Sequence, residues 1–256
     1  MNDISLFWDI IMRSLMPVLR FSGFFAVAPF FNTQVIPVRV KVLLILILSM
    51  LISINMKINV PDNPIVFIFS SISEVIIGMW IGFIFYLFLW ILEFAGGFFD
   101  MQSGMGMAAF YDPQMGSETS VYGNFFTLLG LLIFLIGNFH YLLLKIFVES
   151  YYVLPVGQFI KSGPSYQLLM TTLIWTMTAG LQLALPVVLI LFLIDLSLGI
   201  MARTAPQLNV LLLGLPLKIL ITSVVITIFL GFALPFINQC FNYMNSVSME
   251  LINALR

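Results

Sequence analysis

The sequence predicts an all-α, polytopic membrane fold, and three observations carry that prediction. Only 8% of the residues are charged and 61% are hydrophobic, with a mean hydropathy of +1.12. A soluble domain holds about 25% charge to keep its surface in water. Long apolar windows lie between the charges, several of them at or beyond the roughly 20 residues a spanning helix needs. The short alternating segments of a β-barrel are absent. Hydrocarbon offers no partner to a free backbone group, so apolar windows of this length fold as helices. No shift in composition marks a second domain, and residues 1–256 read as one membrane domain.

The windows run from Arg20 through Phe31, between Lys41 and Lys57, from Ile65 to Leu92 with Glu74 inside, between Glu118 and Lys145, between Lys161 and Asp195, and between Lys218 and Glu250. The third to sixth are long enough to span, and the first two are marginal. Gly78 and Gly82 lie in the third, Pro186 in the fifth, and Gly231 and Pro235 in the sixth. Such residues predict kinked, broken helices packed on protein, where neighbours satisfy the freed carbonyls. With six spans, alternating loops carry Arg39, Lys41, Arg203 and Lys218 on one side and Lys57, Lys145, Lys161 and Arg256 on the other. The positive-inside rule normally gives a bias. A tie points to a wrong span count, to a deciding role for Arg13 and Arg20, or to helices that are not ordinary spans. No internal repeat is evident, which weighs against the commonest inverted-repeat transporters.

Several function classes are excluded or unsupported. Net charge is −1 and the Lys and Arg residues are scattered, so no nucleic-acid surface is expected. The single cysteine, Cys240, allows no internal disulfide and reads as a small buried hydrophobe. Asp3 and Asp9 precede the first base, Arg13, which is the wrong order for the n-region of a signal peptide. His140 has no further ligands at metal-binding spacing and reads as a packing histidine. No Ser, His and Asp constellation, phosphate loop or dinucleotide fingerprint occurs, so neither an enzyme nor a cofactor is expected.

Three segments carry information. Ala95 to Tyr122 combines Gly104, Gly106 and Gly116 with Met105, Met107 and Met115, and has no Lys or Arg. Glycine frees the backbone, and methionine is soft and unbranched. That mixture suits a seal that fills an irregular hole and yields to varied cargo. It equally suits a plain connecting loop that uses Met to reach the bilayer edge. Arg20, Glu74, Glu93, Asp195 and Arg203 lie within or beside apolar runs, where charge is costly and faces a bundle interior, a pore or a partner. Glu74, Gly78 and Gly82 share one helical face, small and polar, which suits the close approach of another helix. A proton relay would need several titratable groups in series, and these acids are isolated. In Leu198 to Lys218, Pro206 and Pro216 are expected to break helix, with a turn capped by Gln207 and Asn209 and eased by Gly199 and Gly214. Asp195 lies eight residues before Arg203 on a similar helical face, about two turns away.

The run Gly199, Arg203, Pro206, Gln207, Leu208, Asn209, Val210, Gly214 and Pro216 closely resembles the signature of the FliR family of flagellar export proteins, whose injectisome counterpart is SctT. Arg20 to Gly23, Ala28-Pro29 and Ile36 to Arg39 are similar to that family's opening helix and turn. Glu74, Gly78 and Gly82, then Ala95-Gly96, Asp100, Gln102, Gly104 and Asp112-Pro113, then Gly137 to His140, Ser150 and Leu154 to Gly157 follow in family order. The resemblance covers nearly the whole chain. It implies a non-enzymatic subunit of the flagellar type III export gate, in the inner membrane at the basal body. FliP-like and FliQ-like subunits are its implied partners in a helical assembly, with an FlhB-like switch subunit at the cytoplasmic entrance. It implies further that the glycine and methionine segment plugs the channel for unfolded export substrates, with Met105, Gly106, Met107, Phe110, Met115 and Gly116 as candidates.

Two positions depart from the family pattern: Gly97, where relatives often carry an acid, and Asp195, where an uncharged polar residue is common. Asp195 is a candidate local partner for Arg203. The rival reading is a self-contained small-molecule secondary transporter, with Glu74, Glu93 or Asp195 binding its solute near the bilayer midplane.

Overall fold

The computed structural model describes residues 2–28, 31, 36–56, 58, 60, 61, 63–107, 120–156, 166–205, 207 and 210–254, the backbone alone for 2–12, 107 and 210–213. Seven α-helices and one 3₁₀ turn run through the described residues, with no strand among them. They are α1 (Asn2–Val27), α2 (Val38–Asn55), α3 (Pro64–Ser103), α4 (Val121–Ile136), α5 (Phe139–Val153), α6 (Tyr166–Thr204) and α7 (Val210–Ala254).

Local chemistry sets several of the ends. The Asn63 side chain accepts the Ile65 N–H at 2.9 Å, and Pro64 opens α3 where its missing N–H costs nothing. Ser120 caps α4 by accepting the Gly123 N–H at 2.9 Å. Asn138 stands between α4 and α5 with φ of 56°, the left-handed region that Asn tolerates better than most residues.

Four helices are long and apolar enough to cross a membrane: Val38–Asn55, Pro64–Ser103, Tyr166–Thr204 and Gly214–Ala254. The pair α4 and α5 meets the same test only together, bent by 72°. The six-span reading is therefore corrected at two windows. The window starting at Arg20 falls on α1, which is not among the spanning candidates. The window between Glu118 and Lys145 is not one rod. It breaks at Gly137–Asn138, where a left-handed residue cannot continue a right-handed helix. Conversely, α6 runs on through Pro186 and α7 through Pro216 and Pro235. Pro216 was expected to break helix. The flanking apolar turns keep their own bonds where no water competes, and only the residue at the proline loses one. The loop-charge count no longer applies as made, because Arg39, Lys41, Lys145, Arg203 and Lys218 all lie inside helices.

Contacts divide the chain into two compact units. One comprises 1–87, 138–172 and 243–256, and the other 88–137 and 173–242. In the first unit, α1 packs on α3 almost backbone to backbone. A Cβ at Gly78 would strike the Arg20 carbonyl oxygen, and one at Gly82 would lie 3.0 Å from the Ala28 nitrogen and the Phe24 oxygen. Small residues permit this approach where no hydrophobic force separates helix from lipid. Phe21 stacks on Phe147 of α5 with ring centroids 4.1 Å apart, and Phe24 approaches the same ring at 5.3 Å. In the second unit, Phe99 meets Phe126 at 5.3 Å and Phe88 meets Phe241 at 3.7 Å. The apolar window of α3 is 61% buried, against 17% for those of α2 and α7, so α3 is the most buried of the four spanning candidates.

Candidate functional site

The candidate site is the base of the glycine and methionine segment, in the second unit. Asp100, near the C-terminal end of α3, is buried. Its carboxylate accepts the Ser120 hydroxyl, the Tyr122 N–H at 3.1 and 3.2 Å and the Gly123 N–H at 3.4 Å. The first N–H groups of a helix have no partner within it and form its positive end, so a carboxylate there is doubly favoured. One side chain thus ties the helix before the segment to the helix after it. The same two helices touch through glycine: a Cβ at Gly96 would lie 2.5 Å from the Gly123 nitrogen and Cα.

Past Asp100 the chain turns sharply. The Ser103 hydroxyl donates to the Asp100 carbonyl at 3.2 Å and accepts the Met105 N–H at 3.3 Å. Gly104 has φ of +84°, which a side chain would strain. A Cβ there would also meet Leu215 Cδ2 at 2.8 Å. A single 3₁₀ turn, Met105–Met107, follows, with Met105 and Gly106 half-buried. Phe110, Met115 and Gly116 lie outside the described residues.

The first stem of the segment has a second attachment. Gln102 Nε2 donates to Asp195 Oδ2 of α6 at 2.8 Å. Lys218 Nζ of α7 lies 2.8 Å from Asp195 Oδ1 and 3.0 Å from Oδ2. Asp195 therefore does not partner Arg203. Arg203 is exposed in the last turn of α6 and meets no acid among the described residues. The eight-residue spacing puts the two on a similar face but about two turns apart, beyond contact.

A separate charge cluster fills the first unit. Arg20 is fully buried, and its Nε donates to Glu74 Oε2 at 2.6 Å and its NH2 nitrogen to Oε1 at 3.1 Å. The NH1 nitrogen donates to the Ser150 hydroxyl and the NH2 nitrogen to the Leu154 carbonyl, both at 3.0 Å. The Tyr151 ring covers the guanidinium, with Cζ 4.1 Å from its centroid. One arginine thereby joins α1, α3, α5 and the chain just after α5. Glu74, Gly78 and Gly82 form the α3 side of that contact.

The remaining sequence candidates are dispersed. Gly214 is buried against Leu198, Pro216 is exposed within α7, and Gln207 is exposed in the turn, while Pro206 and Asn209 lie outside the described residues. Glu93 is exposed on α3. A Cβ at Gly97 would meet nothing within 4 Å, so crowding does not require glycine there. Sequence reading missed Ser120 and Tyr151 and gave Lys218 no role, while Ser150 stood among the residues that carry the family resemblance. Ser120 carried a signal, since a serine just before an apolar run is a helix cap. Lys218 carried none, because only the packing of α7 on α6 brings it to Asp195.

The described geometry thus contains a pinned pair of stems and a polar attachment, with no arrangement of nucleophile and base. Residues 11–244 match the bacterial export proteins, family 1. The chain is 26% identical over 252 residues to the flagellar biosynthetic protein FliR of Pectobacterium carotovorum subsp. carotovorum, which covers 97% of each chain. It is 29% identical over 227 residues to the FliR protein of Bacillus subtilis (strain 168), 86% of each. It is 26% identical over 242 residues to that of Escherichia coli (strain K12), 93% of this chain and 92% of the relative.

Proposed function

The chain belongs to the bacterial export proteins, family 1, the family of the flagellar FliR proteins, and from that premise we propose that it forms and seals the channel of a flagellar type III export gate. At the coarser level it is a multi-pass membrane component of the flagellar export apparatus. The finer reading is steric gating without catalysis. The segment between Gly104 and Ser120 closes the channel against ions, and an engaged unfolded substrate displaces it.

One observation carries this reading: the helices on either side of the segment are tied at one residue, the Asp100 carboxylate of α3 accepting from Ser120, Tyr122 and Gly123 at the start of α4. A connecting loop needs no such tie. A closure element does, because a plug must return to the same place after each displacement. The methionine side chains supply an apolar face that adapts to irregular surfaces.

FliP-like and FliQ-like subunits are the proposed lateral partners, and an FlhB-like subunit the neighbour at the cytoplasmic entrance. The sparse burial of α2, α6 and α7 supports this, since their apolar flanks need cover from lipid or from other subunits. The basal body of the flagellum is the proposed location.

Deleting Met105 to Met115 tests the reading. The shortened chain is expected to enter the export complex in normal amount, and cells carrying it to leak small ions. Unchanged ion permeability with normal assembly would refute the plug.

A further inference from the structure

We propose that Asp195 is a positioning residue: where α3, α6 and α7 meet, it selects the height at which α6 stands in the second unit. This role uses contacts within that unit alone and does not depend on whether the glycine and methionine segment is a plug. The apolar packing of α6 leaves its height open. Gly180 lies under the Phe94 ring of α3, and a Cβ there would be 2.6 Å from Phe94 Cδ1. Thr176 and Ala184, four residues to either side, are small and buried as well. The Thr176 hydroxyl is already bonded to the Leu173 carbonyl at 2.8 Å. Sliding α6 by four residues would therefore bring another small side chain to the same ring. It would also exchange one aliphatic contact for another at Leu183, Val187 and Leu191, all buried. Helix ridges repeat at every fourth residue, and lipid gives no preference between such neighbouring fits.

Asp195 breaks that near-equivalence. Its oxygens lie 2.8 and 3.0 Å from Lys218 Nζ, and Oδ2 also accepts from Gln102 Nε2 at 2.8 Å. The same slide would put Leu191 or Gly199 in place of Asp195, and neither has a side-chain acceptor. The Lys218 side chain, only 14% exposed, would then lose its counter-charge, and Gln102 its acceptor. One polar contact on an apolar interface fixes register by making the alternatives worse, whatever its own strength. The other helices of the unit are already tied at this level. Asp100 of α3 accepts the Tyr122 N–H of α4, and the Tyr122 hydroxyl lies 3.2 Å from Ser223 Oγ of α7. Ser223 donates to the Ile219 carbonyl, so Tyr122 is the donor to it. Asp195 brings α6 into the same layer. The choice sets the height of the outer face of α6, where Leu181, Leu185, Leu189 and Leu193 are exposed and need cover from lipid or another subunit.

The test uses the whole export complex, with Cys240 replaced by alanine and spin labels on cysteines at Met101 of α3 and Ile174 of α6, both exposed. Met101 stands beside Gln102, at the level of Asp195, so the labels are separated mainly along α6, by roughly 30 Å from the helical rise. The parent complex is expected to give a single distance. Asp195→Leu should add a second population displaced by about 5–6 Å, one helical turn. The double variant Asp195→Lys with Lys218→Asp should restore the single distance, because the opposite charges meet at the same height and the Gln102 amide can turn to accept. A single, unchanged distance in an assembled Asp195→Leu complex would overturn the proposal, since the contact would then add stability without choosing a register. If Asp195→Leu fails to assemble, Gln102→Leu and Lys218→Leu decide, each leaving Asp195 one partner. A displaced population in either supports the role, and the parent distance in both overturns it. A swap that keeps the displaced population would overturn the part given to Lys218.

Discussion

Two charged clusters, one in each unit, are built from the same materials and come out differently. Around Arg20 every donor direction that the structure uses ends on a buried acceptor, and an aromatic ring covers the guanidinium. Around Asp195 a carboxylate that is 39% exposed takes one ammonium, from a lysine side chain 14% exposed, and one amide. An ion pair taken fully out of water is costly to form and more costly to break singly, so it holds helices together. A partly exposed pair is weaker, because water competes for it. The first cluster therefore behaves as a rivet between α1, α3 and α5. The second adds less to stability.

The largest effect should come from breaking the rivet. Glu74→Ala leaves the Arg20 guanidinium buried without its carboxylate and is expected to cost ~3–5 kcal/mol. Loss of the chain from the purified complex, or a large fall in its unfolding temperature, would report this. A loss below about 1 kcal/mol would erase the distinction between the two clusters, since that is what exposed pairs give.

An intermediate effect is expected at Asp100, which is as buried as the rivet but caps a helix instead of facing a base. Asp100→Ala uncovers the N–H groups of Tyr122 and Gly123 and should cost ~1–2 kcal/mol, the ordinary range for a lost helix cap. Hydrogen exchange at those two amides is the measurement. Their protection should fall while that of the Arg20 cluster stays unchanged. Equal loosening of both would mean that the units do not respond separately.

The smallest effect sharpens the description of the rivet. The Tyr151 hydroxyl is buried and has no hydrogen-bond partner among the described residues, while its ring does the covering. Tyr151→Phe keeps the ring and removes the orphaned hydroxyl. Its change in stability should be within about 0.5 kcal/mol of zero or slightly favourable, because an unsatisfied buried group is a cost in the parent chain. A loss of ~2 kcal/mol in thermal unfolding would show that the hydroxyl is bonded after all.

Much of this was legible in the sequence, for a physical reason. Scarce charge and long apolar windows dictate helices, since hydrocarbon leaves the backbone no other way to satisfy itself. Glu74, Gly78 and Gly82 fall on one face by helical periodicity alone. The glycine and methionine segment stands out by composition, and the family order of motifs is a property of the string. Local readings failed where two local signals competed. Pro216 sits inside a helix that continues, and Gly137–Asn138 breaks a window whose hydropathy looked uninterrupted. There the left-handed turn outweighed the apolar run.

The sequence by itself therefore determined the membrane class, the places where helices form, the family and the segment to suspect. Tertiary structure alone decided the pairings. Arg20 reaches Glu74, Ser150 and Leu154 across 54, 130 and 134 positions, and Asp100 reaches Ser120 across a segment of twenty. Asp195 takes Lys218, 23 positions away, over Arg203, eight positions away in its own helix. Periodicity fixes the face on which a charge stands. Which opposing charge it meets depends on the register of one helix against another, and that register exists only in the packed unit.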